Sequence, residues 1–264
     1  MISGLPDLKP NLTRGAQVVE IENQGWHLEI PAGSKGSYRL AQLDDYRALP
    51  RRAFRWKPPL KLSLQARVSA QELPGTWGFG LWNDPFSFSM GLGGMAQRFP
   101  ALPNAAWFFF ASPHNYLSFR NDLPAQGFLA ATFRSAAIPA PLLALASPIL
   151  TLTVLPLAAQ VVRWLLRRVV RQDATLVHTD VTGWHAYSLE WQAGRVRLCL
   201  DDVTILETNV APRGPLSLVL WIDNQYAALP PRGRLAYGAL VNQEAAWMEI
   251  RGLTLLEGAS ARRE

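Results

Sequence analysis

A single cysteine in 264 residues excludes any internal disulfide, so the chain must hold itself together with a packed core. Cys199 lies in the alternating run Arg195-Val-Arg-Leu-Cys-Leu200, where a small buried hydrophobe is the expected role. Acidic residues are missing from 85 to 121, and charge of either sign is missing from 136 to 162. The four histidines, at 27, 114, 178 and 185, lack metal-ligand spacing, so no metal or other cofactor is expected. No Gly-x-Ser-x-Gly elbow is present, although that leaves a Ser-His-Asp arrangement open. Gly91-Leu-Gly-Gly94 is too short to cradle phosphate. The opening residues Met1-Ile-Ser-Gly-Leu-Pro-Asp7 lack the basic and apolar regions of a secretory leader. The expectation is a cytoplasmic protein, peripheral at the membrane.

What is present is apolar, aromatic and basic. Hydrophobic residues make up 49% of the chain, ten residues are Trp, and the formal net charge is +6. That balance suits nucleic acid or anionic lipid. The arginines are scattered, apart from Arg51-Arg52 and a cluster at 163–171, so nucleic acid is not an expected partner. Strand signals recur with Gly, Pro and Asn-Asp punctuation. Gln17–Ile21, Trp26–Ile30 and Leu60–Val68 alternate apolar and polar residues, as a strand with one wet face does. Further strands are expected at Trp77–Trp82, Phe86–Met90, Ala106–Ala111, Tyr116–Arg120 and Phe128–Phe133. Others follow at Trp184–Trp191, Val196–Leu200, Thr204–Thr208, Leu216–Ile222 and Trp247–Leu256. With no repeat and no low-complexity segment, the pattern predicts an all-β protein, one antiparallel β-sandwich jelly roll over 1–264. An apolar, partly helical insert at about 136–175 interrupts it.

Three stretches carry a resemblance. The first is Gly183-Trp-His-Ala-Tyr-Ser-Leu-Glu-Trp191 followed by Gly194-Arg-Val-Arg-Leu-Cys-Leu-Asp-Asp202. The others are Gly75-Thr-Trp-Gly-Phe-Gly-Leu-Trp82 and Trp247-Met-Glu-Ile-Arg-Gly-Leu-Thr-Leu255. Together they resemble strand motifs of the family 16 glycoside hydrolases and their relatives in the concanavalin A-like lectin/glucanase superfamily. The resemblance implies a concanavalin A-like fold with a ligand cleft on one concave sheet. It does not carry that family's chemistry. The family's Glu-x-Asp-x-x-Glu strand corresponds to Asn104-Ala-Ala-Trp-Phe-Phe-Phe-Ala111 here, which has no carboxylate. A retaining glycosidase needs two carboxyl groups about 5 Å apart. Trp107–Phe110 reads either as a strand buried on both faces or as the aromatic floor of a cleft.

Two further groups are candidates. Asn83 and Asp84, in Trp82-Asn-Asp-Pro85, fit a cleft rim or a plain turn. Trp221, Asp223, Asn224 and Tyr226 crowd the end of a strong strand, with Trp221 and Asp223 on one face, opposite Ile222. In the resembled family this strand crosses the cleft. The expected ligand-binding set is Trp77, Phe79, Trp82, Asn83, Trp107, Phe109, Trp221, Asn224 and Tyr226. Its ligand would be a glycan, glycolipid or other amphipathic molecule, bound without hydrolysis. The rival is an enzyme of divergent mechanism, a hydrolase or a lipid isomerase or cyclase, using Asp84, His114 or Asp223 as general acid or base.

The insert is long enough to cross a bilayer, since about 20 apolar residues suffice. Pro139, Pro141, Pro148 and Pro156 interrupt it, and one crossing would separate strands that must pair. It must therefore return to the side it left. From 161 to 171 a helix is expected, with Arg163, Arg167 and Arg171 on one stripe. Val162, Leu165, Leu166, Val169 and Val170 lie opposite, and Trp164 at the boundary. That pattern suits a helix in the headgroup plane; a lid or an oligomer contact would bury the same residues against protein.

Overall fold

The computed structural model describes residues 7–22, 24–85, 101–139, 141–144 and 152–258. The expected Phe86–Met90 strand, the Gly91–Gly94 loop and part of the insert lie outside them. Two seven-stranded antiparallel sheets form the sandwich. The first runs β1 (Lys9–Leu12), β4 (Leu40–Asp44), β13 (Ser217–Asp223), β6 (Thr76–Trp82), β7 (Ala105–Ala111), β8 (Gly127–Ser135) and β9 (Val170–Leu176). The second runs β12 (Val203–Thr208), β11 (Arg195–Leu200), β10 (His185–Gln192), β5 (Leu60–Val68), β16 (Ala246–Glu257), β3 (Gly25–Ile30) and β2 (Gln17–Ile21). A separate hairpin joins β14 (Gln225–Ala228) to β15 (Ala236–Ala239). Both large sheets interleave strands from before and after the insert: β13 sits between β4 and β6, and β16 between β3 and β5.

Alternation decides which side chains meet between the sheets. Along β5, Leu60, Leu62, Leu64, Ala66 and Val68 are buried while Lys61 is exposed and Ser63, Gln65 and Arg67 are half-buried. They join Met248, Ile250, Leu189 and Trp191 of their own sheet, and Leu43, Phe79, Leu81, Phe108 and Leu220 of the first, in one core cluster. Turn chemistry follows the residues. Asp201 and Asp202, both at positive φ, link β11 to β12, the geometry of a two-residue hairpin loop. Gly252, at φ 62°, marks the register shift of β16 against β5.

Several expectations are corrected. Tyr116–Arg120 is not a strand; only Tyr116 forms a bridge, to Ala228. Strands β1, β4, β9, β14 and β15 are not among those expected, because none shows a long alternating run. Each is held mainly by its neighbours, as β4 is by both β1 and β13.

The insert leaves and re-enters the first sheet at adjacent positions, because Ser135 pairs directly with Val170. Its return therefore requires no crossing. Helix α1 (Pro156–Val169) starts with Pro in its first turn and stops where Val170 takes up extended backbone. Arg171 consequently stands on strand β9, exposed, and not on the helix. The expected arginine stripe is broken at Arg163 too. That residue is 3% exposed. Its guanidinium donates to Ser118 O, Leu229 O and Asn121 Oδ1 at 2.5, 2.7 and 2.8 Å. It also lies over the Tyr116 ring, and burial pulls its pKa below the usual arginine value. No carboxylate pairs with it among the described residues. Ala159 and Val162 are buried beside it, while Leu157, Val161, Trp164 and Leu165 face outward. Leu165 thus parts from Val162 and Leu166 because the buried arginine fixes the rotation of the helix. Arg167 stays exposed, as does Arg168, whose guanidinium lies over Trp164.

Arg163→Ala should cost about 2–4 kcal/mol, since it removes three hydrogen bonds of a buried side chain and strands the buried Ser118 carbonyl. Urea unfolding would measure this, with faster proteolysis between 152 and 169 as the local sign. An unchanged midpoint would mean that the clamp does not hold the helix.

Candidate ligand-binding face

On the first sheet the side chains turned away from the second sheet form their own cluster. Trp107, Phe109, Leu129 and Phe133 are among its buried members, with Trp82 and Trp221 half-buried against it. Three tryptophans from adjacent strands converge there. Trp107 lies 5.5 Å from Trp221 and 5.9 Å from Trp82, and Trp82 and Trp221 are nearly parallel at 6.3 Å. Such pairs contribute about 0.5–1.5 kcal/mol each beyond their buried area.

The convergence needs glycine on the strand between. β6 places Gly78 and Gly80 on this face, between β13 and β7. A Cβ on Gly78 would come within 2.8 Å of Trp221 Cη2 and 2.5 Å of Phe108 O. One on Gly80 would come within 2.5 Å of Trp107 Cβ. The alternating Trp77-Gly-Phe-Gly-Leu-Trp82 was the signal for this arrangement, with rings one way and glycines the other. The same parity removes two candidates from the face. Trp77 and Phe79 point between the sheets, at 1% and 2% exposure, packed on Phe128 and Tyr187.

The remaining candidates divide. Asn83 closes a turn, its amide donating to Leu102 O and accepting from Asn104 N. Asp84 is buried at positive φ, and its carbonyl, like that of Asn83, accepts from Arg51. Asn224 is fully buried, and its side chain ties Arg39 N, Ser37 O and Leu240 O together. Its amide is fully occupied within the fold, which takes it out of the ligand set. Tyr226 is half-buried on β14, its ring 6.2 Å from that of His114.

The three candidate acids and bases do not converge. Asp223 pairs across from Thr76, whereas Asp84 lies beyond Trp82 at the other end of β6. Six strand steps of about 3.3 Å separate those ends, roughly 20 Å. His114 lies past Ala111, at the Asp223 end. Asp44 shares the outer face with Asp223 but is offset by four residues along β13, where it pairs with Val219. That offset amounts to roughly 13 Å, beyond either glycosidase geometry. Asp44 is moreover spent on Gln42 and the amides of Tyr46 and Arg47.

Asp223 is the carboxyl linked by hydrogen bonds to the tryptophan cluster. Its Oδ1 accepts from Thr76 N, Thr76 Oγ1 and Gln225 N at 3.1, 2.9 and 3.1 Å. Thr76 Oγ1 also accepts from Trp221 Nε1 at 2.9 Å, so ring and carboxyl are linked through one hydroxyl. Burial pushes the carboxyl up to about 7, against the downward pull of those hydrogen bonds. Tyr38, which sequence reasoning missed, has its hydroxyl raised by burial and by Asp223. An acid whose folded value is raised adds stability below its unfolded value, about 3.9. That contribution is lost as pH rises through about 7. Asp223→Asn should therefore raise the Tm by several degrees at pH 8 and leave it nearly unchanged at pH 4. Equal destabilisation at both values in thermal melts would show that the carboxylate is charged in the fold.

No family model matches the chain, and no curated protein does. Solved structures do resemble it. LamA from Zobellia galactanivorans, in complex with laminaritriose and laminaritetraose, shares 13% identity over 96% of this chain and 94% of that one, with a TM-score of 0.49. A pseudo beta-1,3-glucanase and immunostimulatory antigen of Mycobacterium tuberculosis shares 11% over 91% and 78%, at 0.47. A legume lectin-like domain from Entamoeba histolytica shares 10% over 96% and 90%, at 0.46. Glucanase-like and lectin-like proteins are both among these structures.

Proposed function

We propose that this is a non-hydrolytic binding protein of a membrane surface, holding a glycan, glycolipid or other amphipathic molecule against the Trp82–Trp107–Trp221 face. One observation carries the location. The insert turns its apolar residues outward, with Leu157 77% exposed and Val161, Trp164 and Leu165 each about half exposed. Leu142, Leu152, Val154 and Leu155 add to the same segment. An apolar set of this kind marks an interaction surface, and Arg167 and Arg168 stand at its C-terminal end. Arginine near an anionic surface contributes roughly 1 kcal/mol apiece, and burying each leucine-sized side chain fully about 1.5–3 kcal/mol. No helix among the described residues is long and apolar enough to cross a membrane, so the attachment proposed is shallow. The absence of a carboxyl pair at glycosidase spacing on the outer face, among the described residues, supports binding without hydrolysis.

A second reading, proton transfer on a lipid-like substrate, draws on Asp223 alone, whose carboxyl titrates near neutrality. It requires a substrate whose turnover disappears in Asp223→Asn.

Two measurements test the first reading. On vesicles of phosphatidylcholine with phosphatidylglycerol, the intact chain should float, and Leu157→Ser with Val161→Ser and Leu165→Ser should remain at the bottom of the gradient. If the triple variant instead turns a dimer into a monomer, the patch is a subunit contact and the membrane reading is wrong. Trp221→Ala should weaken ligand binding without unfolding the domain; unchanged affinity would discard this face as the site.

A further inference from the structure

We infer that the outer face of the second sheet binds a neutral oligosaccharide, laid across the strands along a row of small hydroxyl side chains. The site is independent of the membrane attachment and of the tryptophan face, which lies on the other side of the sandwich. A groove of about 360 Å³ opens over Ser63, Gln65, Ala186, Ser188, Asp202 and Gly252, within the roughly 300–1,000 Å³ of small-molecule sites. Strand register explains it. Thr254 pairs with Ser63, Ser63 with Ser188, Ser188 with Cys199, and Cys199 with Thr204. Residues paired across antiparallel strands share a face, so five short side chains form one lane across β16, β5, β10, β11 and β12. At about 4.8 Å per strand the lane is roughly 19 Å long. Longer side chains wall it. On one side Lys61 meets Glu190 at 3.0 Å, and Arg197 meets both Glu190 and Glu207. On the other, Gln65 Oε1 accepts from Arg251 Nε at 2.7 Å, and the Arg251 guanidinium lies 4.1 Å from the centre of the Trp184 ring. Gly252, at the bulge of β16, leaves open space where a side chain would stand.

The polar groups of the lane select the ligand. The hydroxyls of Ser63, Ser188 and Thr254 have no hydrogen-bond partner in the protein among the described residues, and Gln65 Nε2 is left to donate. A serine or threonine hydroxyl both donates and accepts. Each hydroxyl of a sugar does the same, so the two sets satisfy one another in either direction. Hydrocarbon over the same floor would bury those hydroxyls unpaired, which is costly. An anion would meet Asp202, a lining carboxylate without an ion pair among the described residues, and a Lys61 already neutralised by Glu190. An extended peptide would find no backbone to pair with, because β16, β5 and β10 are each hydrogen-bonded on both edges.

Isothermal titration of the intact chain with maltohexaose, cellohexaose, laminarihexaose and mannohexaose tests this. At least one should bind saturably. Ser63→Val with Ser188→Val removes two hydroxyls while keeping β-branched residues that suit a strand, and should weaken that binding about tenfold or more. Should the double variant fail to fold, Cys199 reads occupancy in the unsubstituted chain. It is the single cysteine and stands beside Ser188 in the lane, so its labelling by N-ethylmaleimide should slow severalfold when the sugar is saturating. Absence of binding by all four sugars, or binding that leaves the Cys199 labelling rate unchanged, overturns the inference. So does binding lost in Trp221→Ala and kept in the serine double variant, which would put the sugar on the tryptophan face.

Discussion

A buried guanidinium with no carboxylate beside it among the described residues governs this molecule's outward character. The terminal nitrogens of Arg163 are held by two backbone carbonyls and an asparagine oxygen, and its guanidinium lies over the face of a tyrosine. A charge so placed is costly to bury, and it is tolerated only because its neighbours point at it. Once the arginine is drawn in, the rotation of α1 is no longer free. The apolar residues round the other side of the helix, Leu157, Val161, Trp164 and Leu165, are left facing out. A helix turned by half a revolution would hide those residues and expose the arginine, and nothing about the surface would then suggest lipid.

Much of the sandwich could be read in the sequence because alternation is a local signal. Leu60–Val68 has its period written in nine consecutive residues, and β5 occupies those same residues. The parity of Trp221, Ile222 and Asp223 was equally legible, and Ile222 does lie in the inter-sheet core. What escaped was set by partners. β4 reads LAQLD and is buried throughout its length, because strands flank it on both sides and side chains cover both faces. Arg163 looked like one member of a solvated stripe, since helical spacing cannot know that Ser118 and Leu229 present carbonyls there. Motif neighbours place Trp77 and Phe79 in the cleft, whereas strict alternation with Gly78 and Gly80 opposes them to Trp82.

The glycines of β6 illustrate how a face can be furnished from a strand that contributes almost nothing to it. Gly78 and Gly80 offer no side chain, so rings rooted on β7 and β13 spread across the vacant lane and meet. The result is a continuous aromatic surface on the outer side of the first sheet. Asp223 lies at its margin, its carboxyl pushed up to about 7 by burial. Ring, hydroxyl and carboxyl are coupled there through Thr76, so altering one displaces the other two.

The pairing of Ser135 with Val170 has a consequence for how such a protein can change. Both ends of the excursion are stitched into one hairpin ladder, so its length is decoupled from strand register. Residues can be added to or deleted from the excursion while every strand keeps its partner. The β-scaffold and its appendage are therefore free to diversify at different rates, one constrained by packing and the other by whatever it touches.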